Sequence, residues 1–198
     1  MLSLIDKLPE KRVVALSGGS DSMAVMDFCR RYHDARAIFV NHLTLASAEA
    51  QSFLMDWCSD NNIPLSIHTI SSLKPSDESW EEFWRNERLK IFWAENEPVI
   101  TGHNLDDCAE TWLWSSCHGN PKIIPYRNRN VIRPFMRNPK SLLREWCERH
   151  EVPWIEDESN EDLSYMRNLV RHKMMPEVLK VNPGFLKVIA KKVRDVRT

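Results

Sequence analysis

Two stretches of the 198-residue chain gather residue types that can do chemistry. In the first, Arg12-Val-Val-Ala-Leu-Ser-Gly-Gly-Ser-Asp-Ser22, a short apolar run stops at two glycines flanked by hydroxyls and a carboxylate. Glycine lets the backbone turn sharply. Backbone N–H groups exposed where a strand turns into a helix, with the positive end of the helix dipole behind them, favour an anion such as phosphate. The string is not the G-x-x-x-x-G-K-[ST] phosphate loop, because no lysine follows the glycines. Asp21 would repel phosphate unless a divalent cation intervened, so the loop points to magnesium-nucleotide chemistry; a Gly-Ser turn without a ligand is the plain alternative. The second stretch is Thr101-Gly-His-Asn-Leu-Asp-Asp-Cys-Ala-Glu-Thr111. Gly102 permits a tight exit from a strand, and Asp106, Asp107 and Glu110 crowd carboxylates into a first helical turn. Asp107 and Glu110, three apart, are neighbours on one helical face and could hold Mg²⁺ or an ammonium group. Carboxylates also favour that end of a helix for its dipole alone.

These stretches need an alternating frame to position them. Val13 to Leu16 reads as a buried strand, and the segment after it, Ser22 to His33, as a helix with Met23, Met26 and Tyr32 near one face and Ser20, Asp21 and Ser22 available as caps. Residues 36–42 read as a second strand, 46–61 as a helix, 64–70 as a third strand, 80–96 as a helix, 98–101 as a fourth strand and 105–117 as a helix. This alternation predicts an α/β fold, a parallel twisted sheet with helices on both faces. Ligands of such sheets bind at the carboxyl ends of the strands, near the point where strand order reverses. The residues that matter there are Ser17 to Ser22, Asn41-His42 and Thr101 to Asp107.

Composition narrows the classes. The chain is long enough for one domain with a core, expected over residues 1–178, followed by a short basic helical extension over 179–198. Its five cysteines, Cys29, Cys58, Cys108, Cys117 and Cys147, form no C-x-x-C pair and read as reduced thiols, and no second ligand pair accompanies Cys108, Cys117 and His118 to make a zinc site. No leader and no membrane-spanning run is evident, so a soluble, cytoplasmic protein without a membrane partner is expected. Net charge is −1, but residues 1–126 sum to −7 and residues 127–198 to +6. That division suits a polyanion laid across a basic portion toward a metal-nucleotide site. Lys187, Lys191, Lys192, Arg194 and Arg197 could equally just solvate a helix.

Ser17-Gly-Gly-Ser-Asp-Ser22 resembles the S-G-G-x-D-S signature of the PP-loop ATP pyrophosphatases, and further blocks resemble one family within them. Thr101 to Thr111 looks like the T-G-H-H-x-D-D-Q-A-E-T motif of the tRNA(Ile)-lysidine synthetase family, and Val40-Asn-His42 like its V-N-H segment. Glu81, Arg85 and Arg88 fall at the spacing of its E-x-x-A-R-x-x-R-Y helix, and Arg133-Pro134 resembles its R-P-L-L segment. Trp154-Ile-Glu-Asp-Glu-Ser-Asn160, with Asp162, Tyr165, Arg167-Asn168, Arg171 and Pro176, resembles W-x-E-D-P-S-N-x-D-x-x-Y-x-R-N-x-I-R-x-x-x-x-P.

The resemblance implies the following expectations. ATP adenylates the 2-carbonyl oxygen of the wobble cytidine in tRNA(Ile) bearing CAU, and the amine of free L-lysine displaces AMP. Ser17, Gly18, Gly19, Ser20, Asp21 and Ser22 hold the pyrophosphate, with Asn41 and His42 in the same nucleotide site. Asp21 and Asp107 position Mg²⁺, Glu110 is a candidate for the lysine ammonium, and His103 contacts phosphate or the adenylated base. Arg85, Arg88, Arg133, Arg167 and Arg171 face tRNA, and Tyr126 and Trp154 are candidate stacking residues for the unstacked cytidine. A homodimer is left open. This chain departs from the pattern at Thr44, where the family has arginine, and at Asn104, Cys108 and Glu158, where it has His, Gln and Pro. It has only His118-Gly-Asn-Pro121 where the family has R-G-x-G-x-x-G, and it reads as a minimal form without the C-terminal domains that recognise the tRNA acceptor end. Two other readings fit the residues. One is a PP-loop enzyme adenylating a different carbonyl, in tRNA or a small molecule, with thiolation disfavoured by the lack of C-x-x-C. The other is a nucleotide- or RNA-binding protein that has lost catalysis, against which the three carboxylates Asp21, Asp107 and Glu110 speak.

Overall fold

The structure is a computed structural model; it describes residues 1–32, 34–156 and 162–195. Six strands form one sheet in the order β3-β2-β1-β4-β6-β5. β1 (Lys11–Leu16) lies between β2 (Asp34–Asn41) and β4 (Val99–Ile100), β3 (Leu65–Thr69) flanks β2, and β6 (Val131–Ile132) flanks β4. All these pairings are parallel, whereas β5 (Arg127–Asn128) runs antiparallel to β6.

Because successive strand residues point to opposite faces, each strand feeds two cores. Val14, Leu16, Ala37, Phe39, Ile100 and Ile132 pack under α1 (Ser20–Tyr32), α2 (Leu45–Asp60) and α5 (Lys140–Arg149). Their neighbours Val13, Ile38, Val40, Val99 and Val131 pack on the other face with Phe83 and Phe92 of α3 (Trp80–Trp93). A sheet covered on both sides has no polar face, which is why its strands read as continuous apolar runs.

The expected four strands and four helices of the first 117 residues are all present, with shifts at their ends. α1 begins at Ser20, so Ser20, Asp21 and Ser22 form its first turn instead of preceding it. α3 stops at Trp93, three residues before the expected Asn96. The hairpin β5–β6 was not expected; its turn needs Arg129 at φ 56°. Nor was α5, which buries Leu143, Trp146 and Cys147 at helical spacing and is tied to α1 by Trp146 Nε1 donating to the buried Asp27 at 2.9 Å. All five cysteines are free. No helix among the described residues is long and apolar enough to cross a membrane.

A third cluster joins α4 (Leu105–Cys117) to the C-terminal helices: α6 (Met166–Leu169), a π-helical turn at Val170–Met174, α7 (Met175–Val181) and α8 (Phe185–Asp195). α7 runs across residue 178. Phe185, Ile189 and Val193 of α8 are buried against α4, with Phe185 and Trp112 ring centroids 5.7 Å apart. Lys187 and Lys191 face outward. Ile189→Ala is therefore expected to cost about 2–5 kcal/mol, the range for emptying a packed aliphatic site. Chemical denaturation checks this; a loss under 0.5 kcal/mol, on the order of a surface substitution, would mean that α8 is only loosely docked.

Candidate active site at the switch between β1 and β4

From β1 the sheet grows through β2 and β3 to one side and through β4 and β6 to the other, so order reverses between β1 and β4. The loops leaving those two strands are the glycine loop and the carboxylate turn. They meet at Gly102, where an added Cβ would lie 3.1 Å from the backbone of Asp21 and Ser22. The glycine is there for close approach between two loops, beyond the turn that its own chain requires.

Inside the glycine loop, the Ser22 hydroxyl donates to Gly19 O at 3.0 Å and accepts from Ser17 N at 3.1 Å, closing a ring around the turn. Gly18 adopts φ 86°, and its carbonyl accepts from Ile155 N at 3.0 Å. A Cβ on Gly18 would stand 2.8 Å from Ile155 Cδ1, whereas one on Gly19 would meet only Ser17 Oγ at 3.6 Å. Gly18→Ala is thus expected to lose about 1–3 kcal/mol of stability through the left-handed backbone, and to hold an anion such as inorganic pyrophosphate less tightly at the N-terminus of α1. Gly19→Ala should lose little stability. Denaturation and calorimetric titration of both variants separate backbone strain from a mere loss of space.

The carboxylate turn is built on a capping box. Asn104 Oδ1 accepts from Asp107 N at 3.0 Å, and Asp107 Oδ2 accepts from Asn104 N at 2.9 Å. The departure at Asn104 is thus the N-cap of α4, just as Thr44 caps α2 by accepting from Ser47 N at 3.1 Å. Cys108, in the place of glutamine, is fully buried in the α4 cluster.

The three carboxylates part company here. Asp106 Oδ2 accepts from Lys140 N at 2.8 Å and anchors the start of α5. Asp107 Oδ1 faces Arg167 Nη2 at 2.5 Å and Arg171 Nη2 at 3.7 Å. Glu110 accepts from Arg171 Nε at 2.7 Å and Arg167 Nε at 3.2 Å, so both of its oxygens are engaged. Burial alone would raise Asp107, but Arg167, His103, the Asn104 N–H and Arg171 outweigh it and hold the carboxyl below its ordinary range. Arg167 is correspondingly held charged: burial pulls its pKa down, and Asp107 with Glu110 pulls it up further.

Asp21 sits across from Asp107. Its Oδ1 is buried without a hydrogen-bond partner, and Oδ2 lies 4.0 Å from Lys140 Nζ. Asn104 Nδ2 is close enough to act on Asp21 electrostatically, yet it makes no hydrogen bond of acceptable geometry and is itself unpartnered. Burial pushes Asp21 up to about 6, with Asp107 adding to the rise and Lys140 and Arg171 opposing it. A buried unpartnered carboxylate oxygen is costly to the protein alone and suits a ligand that completes it.

Around this pair runs a cationic wall. His103 Nδ1 is 2.8 Å from Thr101 Oγ1, and burial, reinforced by Arg133, Arg167 and Arg88 against Asp107, lowers its pKa to about 3, so the ring is neutral. Arg88 is exposed at its tip while its neighbours crowd it; that crowding, then Arg167 and Arg85, lowers its pKa, with Glu81 opposing. Arg85 and Arg88 make no salt bridge among the described residues. Arg133 stands deeper than a contact with an RNA backbone would need: it is buried, donates to Pro125 O at 2.9 Å, and burial with Arg85 lowers it to about 10.

On the far side of β1, the Asn41 side chain is spent locally, accepting from Leu43 N and donating to Gln51, both at 2.7 Å. His42 Nδ1 is buried without a partner, and burial and Arg88 lower its pKa to about 4. Tyr126 and Trp154 are half-buried and pack against the cores. Of the motif at 154–160, residues 157–160 lie outside the described residues.

The sequence reading passed over Lys140, which approaches Asp21 from α5, and Trp84, whose ring meets His42 at 5.5 Å. The signal for Lys140 was slight, a lysine after Asn138-Pro139 opening a Leu143, Trp146, Cys147 periodicity.

Comparison with known proteins places this geometry. A family model described as a PP-loop domain matches residues 2–178. The tRNA(Ile)-lysidine synthase of Haemophilus ducreyi is 30% identical over 193 residues, covering 92% of this chain and 45% of that protein. The enzyme of the same name from Buchnera aphidicola is 31% identical over 192 residues, covering 88% and 43%. The chain thus spans about half the length of the curated relatives it matches. Among solved structures, the NH3-dependent NAD synthetase from Campylobacter jejuni aligns with 97% of this chain and 87% of its own at TM-score 0.53 and 15% identity, a likeness of fold alone. The matched span takes in both the glycine loop after β1 and the carboxylate turn after β4, so the chain belongs to the PP-loop domain family.

Proposed function

We propose that the chain is an ATP-dependent ligase domain that adenylates the 2-carbonyl oxygen of the wobble cytidine in a tRNA(Ile) CAU anticodon and passes the activated position to free L-lysine, releasing AMP and pyrophosphate. The observation that carries this reading is the pairing of Asp21 and Asp107 across the switch point, with Asp21 Oδ1 buried and unpartnered. The relatives' name, tRNA(Ile)-lysidine synthase, suggests the tRNA, lysine follows as the group that makes lysidine in this reading, and the site contributes the charge arrangement.

The glycine loop at the N-terminus of α1, with Lys140 beside Asp21, favours the polyphosphate. Among the described residues no group of three or more His, Cys, Asp or Glu could hold a metal. Two carboxylates beside an anion-binding turn nevertheless suit Mg²⁺, which keeps few protein ligands. Asp21 and Asp107 would hold it, and when bound it supplies charge neutralisation as pyrophosphate leaves. Neutral His103, fixed through Thr101, can hydrogen-bond the phosphoryl group or the base without adding charge. Arg167 is within reach of both Asp107 and Glu110. Its move onto the adenylate phosphate would leave Glu110 held by Arg171 alone, which donates to Oε1 at 2.7 Å and to Oε2 at 3.2 Å, and would open one side of the carboxylate to the lysine ammonium. Residues 1–178 hold the catalytic parts in this reading, and 179–198 an extension that braces them.

The test is incorporation of labelled lysine into tRNA(Ile) bearing CAU in the presence of Mg-ATP. Label that enters with the unmodified chain and vanishes with Asp107→Ala supports the proposal. Pyrophosphate release without lysine incorporation would move the assignment to another nucleophile, and the absence of both would overturn catalysis by this chain.

A further inference from the structure

The outer side of α3 carries an aromatic stripe that runs from solvent to the rim of the site. Trp80, Trp84 and Arg88 recur every four residues and so share a stripe of the helix. The helix is anchored to the sheet by Phe83 and Phe92, each 4% exposed, while Trp80 is 54% exposed. Trp80 and Trp84 ring centroids are 5.3 Å apart at an interplanar angle of 34°, and Trp84 and His42 are 5.5 Å apart at 48°. The three rings make a ladder ending at the carboxyl end of β2. Cations flank it: Lys74 Nζ lies 5.4 Å from the Trp80 ring centroid, and Arg85 and Arg88, with Glu81 acting on Arg88 from the first turn, make no salt bridge among the described residues, while Arg88 reaches the field of His103.

We propose that Trp80 and Trp84 form a stacking platform for unpaired bases of a single-stranded RNA segment whose phosphates rest on Arg85 and Arg88; this rests on the tRNA reading above. An exposed indole and a half-buried one beside guanidiniums without a salt bridge among the described residues match a ligand that presents π-faces and phosphates in alternation, and single-stranded RNA is that ligand. One nucleotide would use one ring and leave the rest of the ladder and the line of cations without a role. The ladder runs outward from the cationic wall, so bases held on it would be neighbours of the one at the reaction centre.

The test uses the whole chain and a fluorescent anticodon stem-loop RNA of tRNA(Ile), with binding followed by anisotropy across a salt series. Trp80→Ala removes an exposed ring and is expected to weaken binding about tenfold, the order found when a stacked base loses its aromatic partner. Its salt slope and its affinity for Mg-ATP should stay as they were. Trp84→Phe, which keeps a π-face, should bind within about threefold of the parent. Arg85→Ala with Arg88→Ala should instead flatten the salt slope by about 1.4, the value for two phosphates of a single strand. Loop binding unchanged in folded Trp80→Ala overturns the platform. So does a parallel loss of Mg-ATP affinity, which would put the base of ATP on that ring. If the parent binds the stem-loop and incorporates lysine while Trp80→Ala behaves identically, the platform alone fails. If the parent does not bind the stem-loop, the tRNA reading fails with it.

Discussion

Asp107→Asn is expected to lower ATP-dependent pyrophosphate release about 100- to 1,000-fold, the scale of removing one group that stabilises transition-state charge. The substitution keeps the shape and most of the scaffold. Its amide oxygen can still accept from Asn104 N and preserve the capping box. It removes the negative charge that Arg167, the Asn104 N–H and Arg171 hold ionised opposite Asp21. The cost to stability should be small, about 1 kcal/mol, because the Arg167 side chain is 46% exposed and water screens what it loses. The adjacent carboxylate is the control. Asp106 turns away to accept from Lys140 N, so Asp106→Asn should retain activity within about threefold and lose less than about 1 kcal/mol. Pyrophosphate release and thermal denaturation on both variants decide the matter. Equal activities in the two would remove Asp107 from the chemistry.

Asp106 and Asp107 also mark where the sequence stops being legible. Their spacing on a helix separates them by about 100°, but the sense of that separation depends on α5, which begins 34 positions later. α5 carries a clear apolar period, yet its N-cap position is Pro139, which has no capping side chain, and the first N–H is taken up by the distant Asp106 instead, so the usual local signal of a beginning is missing. The strands β5 and β6 have two residues each, too short for any period to register. By contrast the glycine loop, the strand before it and the turn at Thr101 to Asp107 were readable, because each is fixed by residues adjacent in the chain.

The arginines show the same division. That Arg167 and Arg171 share a helical side follows from spacing, although the backbone at 170–174 is a π-helical turn. That both point at Glu110 is a contact across about 60 positions, which no local pattern encodes. The roles of Thr44 and Asn104 become plain with the structure: each is the N-cap of the helix that follows it. Local folding requirements at those two places are met by residues that can also stand at the rim of a site.

Asp21→Asn is expected to raise the stability of the ligand-free protein at neutral pH while abolishing Mg-ATP turnover. The carboxyl is pushed up to about 6 from an ordinary 3.8, chiefly by burial. A carboxylate raised in the fold binds its proton more tightly folded than unfolded, so the folded state is penalised once that proton is lost. The penalty is absent below the unfolded pKa, grows between 3.8 and about 6, and is complete above that window. A shift of that size corresponds to about 3 kcal/mol at most, and with the side chain 25% exposed and Lys140 and Arg171 nearby the expected gain is about 1–2 kcal/mol. Denaturation of both proteins at pH 4 and pH 8 tests the sign: the curves should nearly coincide at the lower pH and separate at the higher, with the variant the more stable. Mg-ATP affinity of the parent should fall as pH drops through 6, because a protonated Asp21 must release its proton to face the metal. A destabilised Asp21→Asn at pH 8 would mean that the carboxylate serves the fold. The opposite result would mean that the fold carries an ionised group against its own stability, a cost with an evident return only when a cationic ligand sits between Asp21 and Asp107.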